Sequence, residues 1–386
     1  MMNNLYDFAN YVADLCDLLE DQRSKDIFWA RLRYDCAATV RNDALLCSLM
    51  DDDLICEENL GFRRNFKGFS EQLEQEGKKL FLYGAAFAGQ RIGEMLLREG
   101  DFYAFCARNH EKYIDGILGK PVFPPEYVFG HPDECYVLIS CIYAADEVYA
   151  LLTEHHFPQD HILRLSAPGF GKKRDERQYF DFPQYFPKGR AFVDAGCFDC
   201  NTSKIFSDWC GGNYSKILAF EPDPDSFRRC KSIAENSGLR LEFFPYGLSS
   251  QVDTVSFAAN GDVGSFVVPT AERSGAFNDI IGSAKQDCIT IATVALDDVV
   301  KETEIGMIKM DIEGAELDAL HGAEKTILRD KPLLAISVYH LRGDVLAIMD
   351  YLHQLVPQYH FWLRHYNDHC GYDTVLYAAI AAGDVM

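Results

Sequence analysis

Four short stretches of the chain end on side chains that can do chemistry. AFVDAG (191–196) is an apolar run closing on Asp194 and Gly196, and KILAFEPDP (216–224) is a second one closing on Glu221. IGMIKMDIEGAE (305–316) carries Asp311, Glu313 and Glu316, and KPLLAISVYH (331–340) ends on His340. A glycine at a strand end lets backbone pass close to a ligand. A carboxylate at the end of the next strand, 27 positions after Asp194, can accept both hydroxyls of a ribose. Asp194, Asp199 and Asp223 crowd the same region. Acids repel a pyrophosphate and suit a cationic ligand that carries an ammonium and a sulfonium.

These groups need strands to bring them together. From Arg190 onward, strand, loop and helix alternate, the pattern of an α/β domain with a parallel sheet. LRLEFFPYGLS (239–249) reads as a third strand, and VDTVSFAA, GSFVVP and DCITIATVALDDV suggest short inserted strands. YHFWLRHY (359–366) and YDTVLYAAI (372–380) close the domain as a strand pair. In open sheets of this kind, ligands lie across the carboxyl ends of the strands. S-adenosylmethionine carries both an ammonium and a sulfonium, so the acids favour it over NAD.

FVDAGCFDCNTS resembles the first motif, D-x-G-x-x-D-G-x-T, of the FkbM family of S-adenosylmethionine-dependent methyltransferases. AFEPDPDSF is similar to its second motif, and VALDDV followed by IKMDIEGAELDALHGAEKTI to its most characteristic stretch. The resemblance covers about residues 176–386. It implies a Rossmann-type class I methyltransferase domain, a seven-stranded and mostly parallel sheet whose last strand is antiparallel. It further implies that Asp194, Gly196, Cys197, Phe198, Asp199 and Thr202 surround the methionine part of the cofactor. Glu221 would hold the ribose, with Pro222 and Asp223 beside the adenine, and Tyr246 and Gly247 would supply ring and backbone contacts. Cys200 stands in place of the motif's second glycine, and Ser337 stands where many relatives have a carboxylate.

Methyl transfer asks the protein to position the acceptor and remove its proton. Asp311, Glu313 and His340 are the expected catalytic groups. An imidazole suits a general base because the free ring titrates near neutrality, and that makes His340 the candidate base. Alternatively, Asp311 and Glu313 would hold a divalent cation that acidifies the hydroxyl. Glu316 reads as a helix-start charge that complements the dipole. His365 and His369 read as packing or surface residues. The acceptor class implied by the resemblance is a hydroxyl of a carbohydrate or small metabolite. The competing reading is a non-catalytic protein that senses cofactor or docks a partner. Residues 260–287, with Gly261, Gly264, Gly275, Gly282, Phe266 and Phe277, read as an acceptor lid.

The N-terminal half carries less chemistry. Residues 1–76 read as helices, and 77–166 as a small Rossmann-like domain opening on KKLFLY and GAAFAG. GAAFAG has Ala86 where a dinucleotide fingerprint needs its middle glycine, so a structural or docking role is expected. A homo-oligomer or a partner enzyme would be engaged through these parts. Residues 167–189 read as a linker or flap before the domain at 190–386.

Composition narrows the partners. The chain has 386 residues, with 37 basic and 59 acidic side chains and a net charge of −22. That argues against nucleic acid and anionic membranes, both of which need a cationic face. The N-terminus lacks a basic start and an apolar run, so a cytoplasmic protein is expected. Of 13 cysteines, only Cys197 and Cys200 have CxxC spacing, and no second CxxC completes a zinc site. The cysteines therefore read as reduced thiols packed as small hydrophobes, with no metal site.

Overall fold

A computed structural model of the chain describes residues 5–36, 44–49, 57–141, 144–164, 176–258, 266–267, 288–367 and 371–381. Helix α1 (Leu5–Asp17), α2 (Gln22–Asp35) and α3 (Ala44–Cys47) come first. The Asp21 side chain starts α2 by accepting from the Ser24 amide, which satisfies one of the amides a helix start leaves unpaired. The chain forms two compact units. One comprises Met1–Leu49, Asp175–Asn367 and Gly371–Met386, and the other Met50–Arg174 with Asp368–Cys370.

The second unit holds α4 (Glu57–Gln75), β1 (Lys79–Tyr83), α5 (Phe87–Glu99), β2 (Ala104–Cys106), β3 (Val122–Phe123), α6 (Pro125–Gly130), β4 (Cys135–Ile139), α7 (Ala145–Glu154) and β5 (Ile162–Arg164). Its sheet runs β3-β2-β1-β4-β5, with every pairing parallel. Successive side chains of a strand face opposite sides. Accordingly Leu80 and Leu82 of β1 enter one core with Phe66 and Leu73 of α4, whereas Phe81 and Tyr83 enter the core on the other face. In the GAAFAG turn, a Cβ on Gly89 would lie 1.8 Å from the Gly84 carbonyl oxygen. That glycine is needed for close packing of α5 against the strand end. Arg108, past the second strand, pairs with Glu147.

The first unit continues with β6 (Ala191–Ala195), α8 (Asn201–Trp209), β7 (Ile217–Phe220), α9 (Pro224–Ser237), β8 (Leu241–Phe244), β9 (Gly247–Leu248), β10 (Asp253–Ala258), β11 (Phe266–Val267) and β12 (Cys288–Val294). There follow α10 (Leu296–Val300), β13 (Ile305–Met310), α11 (Glu316–His321), α12 (Glu324–Asp330), β14 (Leu333–Ser337), α13 (Asp344–Leu355), β15 (His360–His365) and β16 (Thr374–Ala379). Among the described residues, a seven-stranded sheet runs β15-β16-β14-β13-β6-β7-β8. Only β16 runs against its neighbours β14 and β15, as the resemblance implies. Central strands β6, β13 and β14 are buried along their whole length, which is why they read as unbroken apolar runs. A second sheet, β11-β10-β12-β9, takes up the inserted strands.

Three details differ from the sequence reading. LRLEFFPYGLS is two strands in two sheets, because Pro245 between them has no N–H to donate to a ladder. The helices of 1–76 are divided: Ile27, Phe28, Ala30 and Tyr34 of α2 join the core that contains Phe361 of β15, whereas α4 belongs to the other unit. Residues 176–189, the end of the stretch read as a linker or flap, are packed. Tyr179, Phe180, Phe182 and Phe186 are buried, Phe180 and Phe186 pack on Trp209, and Phe182 packs on Trp362 and Tyr377. Residues 167–175 and the lid stretch, apart from the short strand β11, lie outside the described residues. Among the described residues, no helix is long and apolar enough to cross a membrane.

Candidate active site

The chain turns sharply after β6. Gly196 has φ +72°, and a Cβ there would lie 2.0 Å from the Asp311 carbonyl oxygen. The turn thus presses on the end of β13, at the place where the sheet order reverses. Gly196→Ala combines that clash with a left-handed backbone, which alone costs a non-glycine residue about 1–2 kcal/mol. The variant is expected to melt roughly 4–12 °C lower, at about 2–4 °C per kcal/mol for a domain of this size. Differential scanning calorimetry checks this, and an unchanged midpoint would contradict the packing.

Asp194 is fully buried. Its carboxylate accepts from the Ser203 hydroxyl at 2.7 Å and pairs with Lys309 Nζ at 3.3 Å. Lys309 also donates to the carbonyls of Ala195 and Gly196 at 3.0 and 2.7 Å. Burial works against its charge, but Asp194 and Asp311 outweigh it and raise the ammonium's pKa. Asp194 and Lys309 are therefore the brace behind the turn. Sequence reasoning missed Lys309, and the signal for it was a lysine inside the apolar run IGMIKM.

Glu221 follows β7. Its carboxylate accepts from the Phe198 amide at 3.0 Å and the Asp223 amide at 2.9 Å. An ionised carboxylate has about four acceptor sites, so room remains for two hydroxyls. Burial pushes this carboxyl up to about 7, against the pull of those two amides. Asp223 caps α9, accepting from the amides of Asp225 and Ser226 at 2.9 and 2.8 Å. Pro222 between them is half-buried, and Thr202 is half-buried on the first turn of α8. Asp199 is exposed on the turn and accepts from the Asn201 amide. Cys197 is buried, and Phe198 is half-buried under the Arg229 guanidinium. Tyr246 is exposed just past β8, and Gly247 opens β9. The acids near the first two strand ends are thus used unequally. Asp194 is neutralised by Lys309 and Asp223 is a helix cap, so Glu221 and Asp199 are the pair still able to meet a cationic ligand.

Past β13, Asp311 accepts from the Tyr179 hydroxyl at 2.6 Å and the Tyr339 hydroxyl at 2.9 Å. Burial raises its pKa, yet the charges of His340 and Lys309, with those two hydroxyls, hold it below the usual carboxylate value. Glu313 sits at φ +58°, a strained conformation of the kind found at functional sites. Burial pushes its carboxyl up to about 7; Asp311 and Glu316 add to the rise and His340 opposes it. Glu316 is more than a charge at a helix start. It is buried, accepts from the amides of Ile312 and Gly314, both at 2.9 Å, and faces His340 Nδ1 at 2.9 Å.

His340 Nε2 lies 3.4 Å from both Asp311 and Glu313. Burial lowers its pKa, but Glu316, Glu313 and Asp311 together raise it to about 10. Three carboxylates around the ring favour its protonated form, and a protonated imidazole has no lone pair to offer as a base. The same proton bears on a divalent cation. Asp311, Glu316 and His340 offer ligand atoms within 4.8 Å of one another, but both ring nitrogens face carboxylates. A metal ion there would have to displace the proton shared between the ring and these carboxylates.

The loop carrying Tyr339 and His340 is held from far away in sequence. Arg31 of α2 is 1% exposed and donates to the carbonyls of Gly371 and Tyr339. It pairs with Asp35 at 2.7 Å, and Asp35 accepts from the Gly343 amide at 3.2 Å. His365 is buried with Nδ1 2.9 Å from the Thr374 hydroxyl, a packing role. His369 lies outside the described residues.

Comparison with known proteins bears on this arrangement. Residues 190–373 match the family model of the methyltransferase FkbM domain. Hexuronic acid methyltransferase AglP of Haloferax volcanii is 30% identical over 116 residues. That match takes in 28% of this chain and 41% of the relative, so the chain spans under half the length of that curated protein. The methyltransferase FkbM from Methylobacillus flagellatus has 18% identity and a TM-score of 0.41, over 80% of this chain and 92% of that one. An O-methyltransferase from Bacillus cereus in complex with SAH has 11% identity and a TM-score of 0.33, over 61% and 90% of the two chains. The family match therefore falls on the part of the chain that carries the Gly196 turn and the Asp311 cluster.

Proposed function

We propose that this domain transfers the methyl group of S-adenosylmethionine to a hydroxyl of a carbohydrate or small metabolite. One observation carries the reading. The Gly196 turn touches the ribose-type acid through the Phe198 amide and the catalytic cluster through the Asp311 carbonyl, at the reversal of strand order. When bound, the cofactor supplies an electrophilic methyl group. Glu221 would accept the two ribose hydroxyls, the turn from Gly196 to Phe198 would border the methionine part, and the exposed Tyr246 ring would offer a stacking face for adenine. Asp199 is the acid left to meet the ammonium.

On the acceptor side, Asp311 is a fixed anion that accepts from a substrate hydroxyl. Glu313 is the general base, because a base works best when its pKa lies near the working pH. It is 35% exposed and so open to the acceptor. The His340 imidazolium holds Asp311, Glu313 and Glu316 in one place and balances their charge. The name of the Haloferax relative supports a sugar acceptor. A hexuronic acid offers both hydroxyls and a carboxylate, and the carboxylates Asp311 and Glu313 favour the hydroxyl. Mass spectrometry of uronic acid glycosides and neutral sugars incubated with isotope-labelled methyl donor tests this. An alkali-stable methyl ether is expected. An alkali-labile ester, or no transfer across the panel, would contradict it.

The rate should be bell-shaped in pH. Glu313 must be ionised, so kcat rises as pH passes its value of about 7. His340 must stay protonated, so kcat falls as pH approaches its value of about 10. A profile flat from pH 6 to 10 would remove both assignments.

A further inference from the structure

The fold builds a three-sulfur cluster that the sequence motif did not announce. Cys197 and Cys200 come from the turn after β6, and Cys230 comes from α9. The three are 2%, 1% and 0% exposed, none is in a disulfide, and their sulfurs all lie within 4.8 Å of one another. Cys197 and Cys230 are 3.9 Å apart. From these sulfurs we infer that Cys197, Cys200 and Cys230 form a binding site for one zinc-class cation, fastening the turn to α9.

Geometry separates this from a disulfide. A tetrahedral ion with metal–sulfur bonds of about 2.3 Å spaces its ligand sulfurs about 3.8 Å apart. That is the separation Cys197 and Cys230 already have, and the third sulfur needs to move by no more than about 1 Å. A disulfide needs sulfurs about 2.05 Å apart, which would pull the turn into α9. Soft thiolates select zinc and similar ions over hard ones.

Backbone strain at the turn is the second observation. Cys200 sits at φ +61° and Phe198 at φ +45°. A glycine at 200 would relieve that strain, yet the chain keeps a cysteine there with its sulfur in the cluster. Access is short, because exposed Asp199 and half-buried Phe198 lie on the same turn. Binding releases a proton from each thiol that ligates and involves no change of oxidation state. Three thiolates leave one position of a tetrahedral ion open.

Cobalt(II) is the spectroscopic probe. Full-length, reduced protein freed of metal and titrated with cobalt should take up one equivalent, with the strong near-ultraviolet band of thiolate-to-cobalt charge transfer. Added zinc should then bleach it. Cys230→Ser should lose at least about tenfold in affinity, while Cys210→Ser, which changes a cysteine outside the cluster, should bind as the parent does. Absence of the charge-transfer band in the folded parent protein would overturn the inference, and so would a band of unchanged intensity in Cys230→Ser. The parent titration stands by itself if the variant fails to fold. No cofactor or acceptor enters the assay, so its outcome is independent of the methyl-transfer reading.

Discussion

Glu313→Gln should lower kcat by roughly 10²–10⁴-fold, the usual contribution of a positioned general base, with cofactor affinity unchanged. The substitution keeps the size of the side chain and its hydrogen-bonding reach but removes the ionisable oxygen. Asp311 and Glu316 remain to pair with His340, so the cluster stays assembled. Cofactor affinity should hold, because Glu221 and the Gly196 turn are untouched. The pH profile supplies an independent readout: the rising limb near 7, which belongs to Glu313, should vanish. A variant with parental kcat would mean that the acceptor needs no base. A carboxylate acceptor is one such group, so the measurement also separates ether from ester formation. Asp311→Asn makes a useful contrast. It removes an anion that Tyr179 and Tyr339 hold in place, so it should raise KM for the acceptor as well as lower kcat.

Arg31→Met is expected to destabilise the unit that contains it by about 3–5 kcal/mol, the cost of breaking a buried ion pair from one side. It leaves the Asp35 carboxylate buried beside the Gly343 amide and frees the carbonyls of Gly371 and Tyr339. Thermal unfolding should fall by roughly 6–20 °C at about 2–4 °C per kcal/mol. Asp35→Leu added to Arg31→Met should recover part of the loss, since replacing both partners of a buried pair by apolar groups is often near neutral. Arg31 acts as a positioning residue through the Tyr339 loop. Near the optimum temperature the double variant should therefore regain stability while kcat stays depressed. Full recovery of kcat would reduce Arg31 to a purely structural role.

The elements were legible because their signal is local. β6, β13 and β14 are buried on both faces and so read as apolar runs, and each ends on an acid, a glycine or a short polar loop. The convergence of Asp311, Glu313 and His340 follows from the rule that ligands meet strand ends. What stayed hidden depends on contacts between distant positions. Tyr179 reaches Asp311 across 132 residues, and Arg31 reaches Tyr339 across 308. Periodicity reports which face of an element is apolar, not what that face will meet. The surroundings of His340 were hidden for a related reason. Its unperturbed pKa suits a base, but three carboxylates around a buried ring raise that pKa. Glu316 read as a helix-start charge complementing the dipole, whereas here two backbone amides and an imidazole enclose it. Lys309 and Cys230 were visible as single odd residues, without the partners that give them meaning.

The account rests on a cofactor held at Glu221 beside the Gly196 turn. Isothermal titration calorimetry with S-adenosylmethionine and S-adenosylhomocysteine tests that most directly, on the parent protein and on Glu221→Ala. The parent should bind both with one site per chain. Glu221→Ala should bind at least about tenfold more weakly, since two hydrogen bonds to a charged acceptor are lost at about 1.5–3 kcal/mol each. No heat of binding to the folded parent protein, or parental affinity in Glu221→Ala, would contradict it.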